Sequence, residues 1–315
     1  MKSSEVRTLF MGSSEFAIPS LRALVSEGYD LRCAVMQPDR RAGRGARMRS
    51  PAAKVEAERL GVPVFQPDSF RDPESLAVLT ALEPDLIVVA SYGRLLPLDV
   101  LDLPRYHVVN VHPSLLPRWR GPSPVAAAIL AGDETTGVSI MELIPQMDAG
   151  PLLASRPFPV SSTDTAGTLE TSLAAKGADL LIETLPGWID GDLESIPQDE
   201  SLVTTCPLLA KSNGHLAANM TAIEAERAVR AYDPWPGSFV IYKGHRLAVW
   251  RAHVGDLDEG LSPGDLKISE GQPGIVFRGG VLVLDELQRS GSRRVSGEDF
   301  LNGERGLLPS SVGLT

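Results

Sequence analysis

Between residues 8 and 144 the chain switches repeatedly between β-rich apolar runs and stretches with helical spacing, and this alternation restricts the available folds more than any other feature. Residues 8–12, 31–37, 85–91, 106–112 and 136–144 read as strands, with a short extended run at 62–66. Helical patterns fill 16–28, 52–61, 73–83 and 123–132; in the first, Phe16, Leu21, Leu24 and Val25 share a face and Gly28 ends it. Residues 86–90 are unbroken apolar, the pattern of a strand covered on both faces. Such a succession predicts right-handed crossovers onto a doubly wound, Rossmann-like, mostly parallel α/β sheet that binds ligands at the carboxyl ends of its strands. A helix over 165–188 closes this part of the chain.

The polar stretch 190–205 carries no periodicity, and beyond it the pattern changes. A helix at 221–232 precedes short strands at 238–244, 246–254, 265–269, 274–280 and 281–289, the spacing of a smaller OB-like β-barrel. The expected organisation is a catalytic domain over 1–190, a linker over 191–209 and a C-terminal barrel over 210–315. Cys33 and Cys206 are too few for a disulfide framework or zinc cluster and read as packed thiols. With no apolar signal segment in the opening residues, the expected location is the cytoplasm.

The net charge of −10 argues against a general nucleic-acid coat. The charge is uneven, however. Residues 1–205 carry −9 and the remainder −1, yet inside the acidic part residues 37–54 hold Arg40, Arg41, Arg44, Arg47, Arg49 and Lys54 against Asp39 alone. Most charge runs are solvated surface loops; a basic one in an acidic domain is also a place for a polyanion.

Phosphate and metal motifs are missing from the sequence. The first turn, Gly12-Ser13-Ser14, is neither a dinucleotide fingerprint nor a P-loop, the five histidines lack metal-ligand spacing, and there is no nucleophile elbow. Chemistry is expected instead at the end of the 106–112 strand. Asn110 and His112 are two residues apart, so on a strand their side chains share a face. An amide N–H beside an imidazolium is a pair suited to a developing oxyanion. A lone histidine after a strand is more often structural, but Asp148 follows the next strand, where a carboxylate is placed to orient the ring and hold it protonated. Pro113 and Pro117 bracket a stiff turn, Ser114-Leu115-Leu116, with backbone groups and apolar surface for a flat ligand.

The run Asn110-VHPSLLPRWRGPSP, followed by Gly137-VSIMELIPQMDAG, resembles the signature of the folate-dependent formyltransferases. Gln37-PDRRAGRG and Arg230-AYDPWPGSF are similar to two further segments of the branch that acts on an aminoacylated tRNA, so the resemblance spans nearly the whole chain. It implies transfer of the formyl group of 10-formyltetrahydrofolate, a cosubstrate, to the α-amino group of initiator methionyl-tRNA, without a metal. The implied intermediate is tetrahedral, stabilised by Asn110 and protonated His112 with Asp148. The resemblance further assigns Ser114, Leu115, Leu116 and Pro117 to folate, Arg44 to the tRNA acceptor end, and tRNA binding to the barrel. No obligatory protein partner and no membrane are implied. Two departures stand out: Gly12-Ser13-Ser14 replaces the family's Gly-Thr-Pro, and His215-LAA replaces a basic-hydrophobic-Asp-Trp segment. The competing readings are a nucleotide-sugar N-formyltransferase, which shares the Asn-His-Asp core, and a non-catalytic tRNA-binding protein.

Overall fold

A computed structural model describes residues 2–42, 47–257, 260–304 and 311–313. The chain forms two compact units: Met1–Pro124 with Thr135–Pro159 and Glu170–Pro207, and Val125–Glu134 with Val160–Leu169 and Leu208–Thr315. In chain order the elements are β1 (Arg7–Met11), α1 (Ala17–Ser26), β2 (Asp30–Val35), β3 (Arg40–Ala42), β4 (Arg47–Arg49), α2 (Ala52–Arg59), β5 (Val64–Phe65), α3 (Pro73–Ala81), β6 (Leu86–Val89), α4 (Leu98–Leu101) and β7 (Val108–His112). These are followed by α5 (Pro124–Ala131), β8 (Thr135–Glu142), β9 (Leu152–Pro159) and α6 (Ala166–Asp190).

The main sheet of the first unit has the order β5-β2-β1-β6-β7-β8-β9. The first five strands are parallel to their neighbours, while β8 and β9 run antiparallel. Every residue of β6 is buried, as its apolar run predicted, and so is every residue of β7. The sequence pattern did not suggest β9, because Pro157, Pro159 and Arg156 break its β signature. An edge strand tolerates prolines since its outer N–H groups need no partner. The back of β7 is closed by α6: a Cβ at Gly177 would lie 2.7 Å from Val111 Cγ1 and 3.2 Å from Val138 Cγ1, so only glycine admits this approach. Val111 faces that helix, and strand alternation turns Asn110 and His112 to the opposite side.

The second unit contains α7 (Ala222–Ala231), β10 (Ser238–Tyr242), β11 (His245–Gly255), β12 (Leu266–Ser269), β13 (Gln272–Phe277), β14 (Gly280–Arg289), β15 (Val295–Ser296) and α8 (Gly297–Gly303). A reciprocal cap starts α7: Thr221 Oγ1 accepts from the Glu224 backbone N–H, and Glu224 accepts from that of Thr221. The strands form an antiparallel sheet in the order β10-β11-β14-β13-β12. Among the described residues this ladder does not close into the expected barrel. Its two outer edges meet the terminal segment only through isolated bridges, Ile241 with Gly313 and Asp265 with Ser311. Strand spacing along a sequence predicts the number of strands; closure depends on tilt and stagger, which spacing does not encode. No helix among the described residues is long and apolar enough to cross a membrane.

Candidate active site

At the carboxyl end of β7, Asn110 and His112 are 8% and 5% exposed. Their neighbours across the antiparallel pair are Met141 and Ser139 of β8. Asp148 sits in the turn between β8 and β9, held in the left-handed region at φ 50°. The three predicted polar residues therefore come from neighbouring strand ends of one sheet. His112 Nδ1 lies 3.8 Å from Asp148 Oδ1, and Nε2 lies 3.1 Å from the Trp119 carbonyl oxygen. A carbonyl only accepts, so Nε2 carries a proton and Nδ1 is the nitrogen turned toward the carboxylate. Among the described residues nothing hydrogen-bonds the Asn110 amide, which leaves its N–H groups available to an incoming oxygen.

Asp148 was expected to keep the ring charged. In the structure the two groups are 3.8 Å apart, beyond hydrogen-bond reach, and burial pushes the imidazole below its ordinary value. The Asp148 charge and the Trp119 hydrogen bond act in the opposite direction and are outweighed. Burial thus favours the neutral ring, with Nδ1 the nitrogen that faces the Asp148 carboxylate. Because the folded value is depressed, the neutral ring contributes stability that is fully present above the unfolded value of about 6.5 and is lost as pH falls through the folded value. Melting temperature is thus expected to fall between pH 7 and 5 less steeply in His112→Asn than in the unaltered protein. The difference is at most about 1.4 kcal/mol per pH unit. His253 works the other way: burial lowers it, but the hydrogen bonds its ring donates to Asp285 and Glu270 outweigh that and raise it; comparing the two proteins cancels its contribution.

The loop after β7 is rigidly held. Ser114 Oγ donates to the Arg118 carbonyl at 2.6 Å, and Ser139 Oγ both donates to the Ser114 carbonyl at 2.8 Å and accepts from Leu116 N at 3.1 Å. Leu116 is buried, and Leu115 lies where a side chain on Gly137 would strike it. The turn expected to touch folate therefore spends its serine hydroxyl internally and offers chiefly backbone, with Pro117 half-buried at its end. Further along, Gly121 N donates to Asp148 Oδ2 at 2.8 Å. Gly121 has φ +119°, and a Cβ there would come within 2.3 Å of the Cys206 carbonyl oxygen, so the Asp148 anchor requires glycine.

The altered first turn is bound across the strand ends by its serines. Ser13 Oγ accepts from Gln37 N at 3.1 Å and Ser14 Oγ donates to Ser91 Oγ at 2.8 Å, hydrogen bonds that stand in for the stiffness of the absent proline. Gln37 also donates to the Tyr92 carbonyl at 2.7 Å. In the basic segment, β3 and β4 pair as a hairpin that sets Arg40 directly opposite Arg49, both exposed. Like charges across a ladder are unfavourable unless a counter-charge joins them. Lys54 is consumed by Asp39, 3.0 Å away. Arg44 lies outside the described residues. Cys33 and Cys206 are buried and unlinked, as read from the sequence, and burial raises Cys33 to about 11. Among the described residues no group of His, Cys, Asp and Glu is placed to hold a metal ion.

Sequence reasoning missed the residues that hold this site together: Ser139, the Trp119 carbonyl, and Arg120, Gln198, Thr204 and Cys206. The last three fall in or beside the stretch read as a linker, which has no periodicity to betray contacts so distant in sequence.

A buried amide, an imidazole and a carboxylate converging at strand ends of a mostly parallel sheet are the equipment of an acyl-group transferase. The chain matches the formyl transferase family over residues 6–185 and the C-terminal domain of formyl transferases over 208–305, and it belongs to that family. Relatives named methionyl-tRNA formyltransferase match this chain over nearly its whole length. The Methylococcus capsulatus protein is 43% identical over 297 residues, 94% of this chain and 96% of that one; the Chloroflexus aurantiacus protein is 42% identical over 300 residues, 95% and 97%. Among solved structures, the fold is similar to an N-formyltransferase from Helicobacter canadensis crystallised with folinic acid and dTDP-3-aminofucose (TM-score 0.67, 15% identity, 89% of this chain, 99% of that one). It is also similar to HypX from Aquifex aeolicus in complex with tetrahydrofolic acid (TM-score 0.64, 19% identity), where 95% of this chain matches 47% of the longer protein.

Proposed function

We propose that the protein transfers the formyl group of 10-formyltetrahydrofolate to the α-amino group of initiator methionyl-tRNA. The supporting observation is the convergence of an unbonded Asn110 amide, His112 Nδ1 and Asp148. In this reading the Asn110 amide donates to the formyl oxygen as it gains charge at the tetrahedral stage. His112 Nδ1 takes the proton released by the attacking amine, and the imidazolium so formed is stabilised by Asp148. The positive charge arises during the reaction beside the oxyanion, rather than standing ready before it. Nε2, tied to Trp119, keeps the working nitrogen aimed. Collapse returns the oxyanion to a carbonyl, and the folate nitrogen leaves with the proton that His112 Nδ1 gives back. Ser114, Leu115, Leu116 and Pro117 hold the folate by backbone and apolar contact.

Residues 1–190 serve as the catalytic domain, 191–209 as the connection, and 210–315 as an OB-like, tRNA-binding barrel; the bridges at Gly313 and Ser311 favour near-closure of its sheet. Use of initiator methionyl-tRNA in translation favours the cytoplasm as the site of the reaction. The Arg40–Arg49 pairing favours a polyanionic acceptor, with Arg44 at its acceptor end. Arg44→Ala is expected to raise the KM for tRNA several-fold, leave that for the folate unchanged, and lower the salt dependence by about one phosphate contact. Equal changes in both Michaelis constants would assign the loop to scaffolding.

The deciding experiment is formyl transfer from 10-formyltetrahydrofolate to purified methionyl-tRNA, run beside an amino-sugar nucleotide. Preference for the tRNA is expected. Preference for the sugar, or tRNA binding without transfer to either acceptor, overturns the reading.

A further inference from the structure

We propose that Gln198 is a positioning residue that locks the Asp148 turn to the loop carrying the Trp119 carbonyl, so that the segment around it acts as part of the catalytic frame. The proposal rests on the function given above and names a further residue required for it. Gln198 is 9% exposed, and all three of its polar bonds are made. Its Nε2 donates to the Asp148 carbonyl at 2.9 Å and to the Gly150 carbonyl at 2.7 Å, while Oε1 accepts from Arg120 Nε at 2.9 Å. The orientation of the amide is forced: reversed, its oxygen would face two carbonyls and its N–H groups would face a guanidinium.

The two loops joined here hold opposite sides of His112. One places Asp148 near Nδ1, and the other places the Trp119 carbonyl on Nε2. The segment binds the second loop at several further points. Trp119 N donates to Thr204 Oγ1 at 2.9 Å, Arg120 N to the Thr204 carbonyl at 2.9 Å, and Cys206 N to the Arg120 carbonyl at 2.8 Å. Outside, Glu200 takes Arg120 Nη2 at 2.7 Å and so sets the guanidinium that Gln198 reads. Among the described residues, however, Gln198 is the side chain that reaches the backbone of Asp148 itself. Since 3.8 Å separates the carboxylate from the ring, with no direct bond to hold it, that spacing depends on the turn's backbone. Its anchors are Gly121 N on the carboxylate and Gln198 on the carbonyl. The titratable groups facing His112 are Asp148 and, behind the Trp119 carbonyl, the Cys206 thiol, which burial raises.

The test uses the full chain with methionyl-tRNA and 10-formyltetrahydrofolate. Gln198→Glu keeps length and the Arg120 bond but turns a charged oxygen on two carbonyls; Gln198→Leu removes all three bonds. Both are expected to lower kcat by about tenfold or more with each KM within about threefold, and to move the acid limb of the pH–rate profile to lower pH as Asp148 draws away. Should the leucine variant fail to fold, the glutamate variant decides. A folded Gln198→Glu protein with near-normal kcat, or one whose loss leaves the acid limb in place, overturns the proposal. Absence of transfer by the unaltered protein would instead overturn the function it rests on.

Discussion

Asn110→Ala is expected to slow formyl transfer by about 10²–10³ in kcat, about 3–4 kcal/mol of transition-state stabilisation. The magnitude follows from where the amide sits. It is buried at a strand end, it makes no hydrogen bond among the described residues, and so it need break none when charge develops on the formyl oxygen. A donor already aligned in a water-poor site acts at full strength. Folate binding should change little, because the ground-state carbonyl is a weak acceptor compared with the oxyanion. Steady-state kinetics beside a folate-binding titration separates the two; a loss confined to KM would remove Asn110 from the chemistry. Folding should survive, since truncation leaves no partner unpaired.

Asp148→Asn is expected to cost at least about a hundredfold in turnover with folding intact. The carboxylate has two jobs. It stabilises the imidazolium that forms when His112 takes the amine's proton, and Oδ2 accepts from Gly121 N. Asparagine keeps an oxygen for Gly121 but loses the charge. The acid limb of the pH–rate profile should therefore move to lower pH, because the one charge that favours protonation of His112 against burial is gone. Near-normal turnover, or an acid limb that stays put, would discard that role. Asn110 and Asp148 act on one tetrahedral centre, so their effects should not add in the double variant.

Much of the site was legible before any coordinates. Asn110 and His112 two apart on a strand, with an acid after the next strand, are a local pattern that strand alternation converts directly into shared direction. What could not be read was the protonation state. The residue types suggested a charged imidazole beside a carboxylate, while depth of burial and a 3.8 Å gap act against that charge. Nor could the sequence show that the Ser114 hydroxyl is spent on the Arg118 carbonyl four residues on. In the second unit, the strands were evident and the closure of their sheet was not.

The amino-acid sequence by itself determined the alternation of strands and helices, the family, and which side chains gather at the end of β7, because periodicity and strand alternation act over a few residues and leave a local imprint. Only the tertiary structure decided that Gln198, about fifty residues beyond Asp148, bonds the backbone of its turn, that β9 pairs at the sheet edge despite its prolines, and that His112 is buried deeply enough to lower its proton affinity. The reason is physical. Hydrogen bonds between distant segments and the desolvation of a buried ring depend on what surrounds a residue in space, and a polar stretch without periodicity carries no local sign of its neighbours.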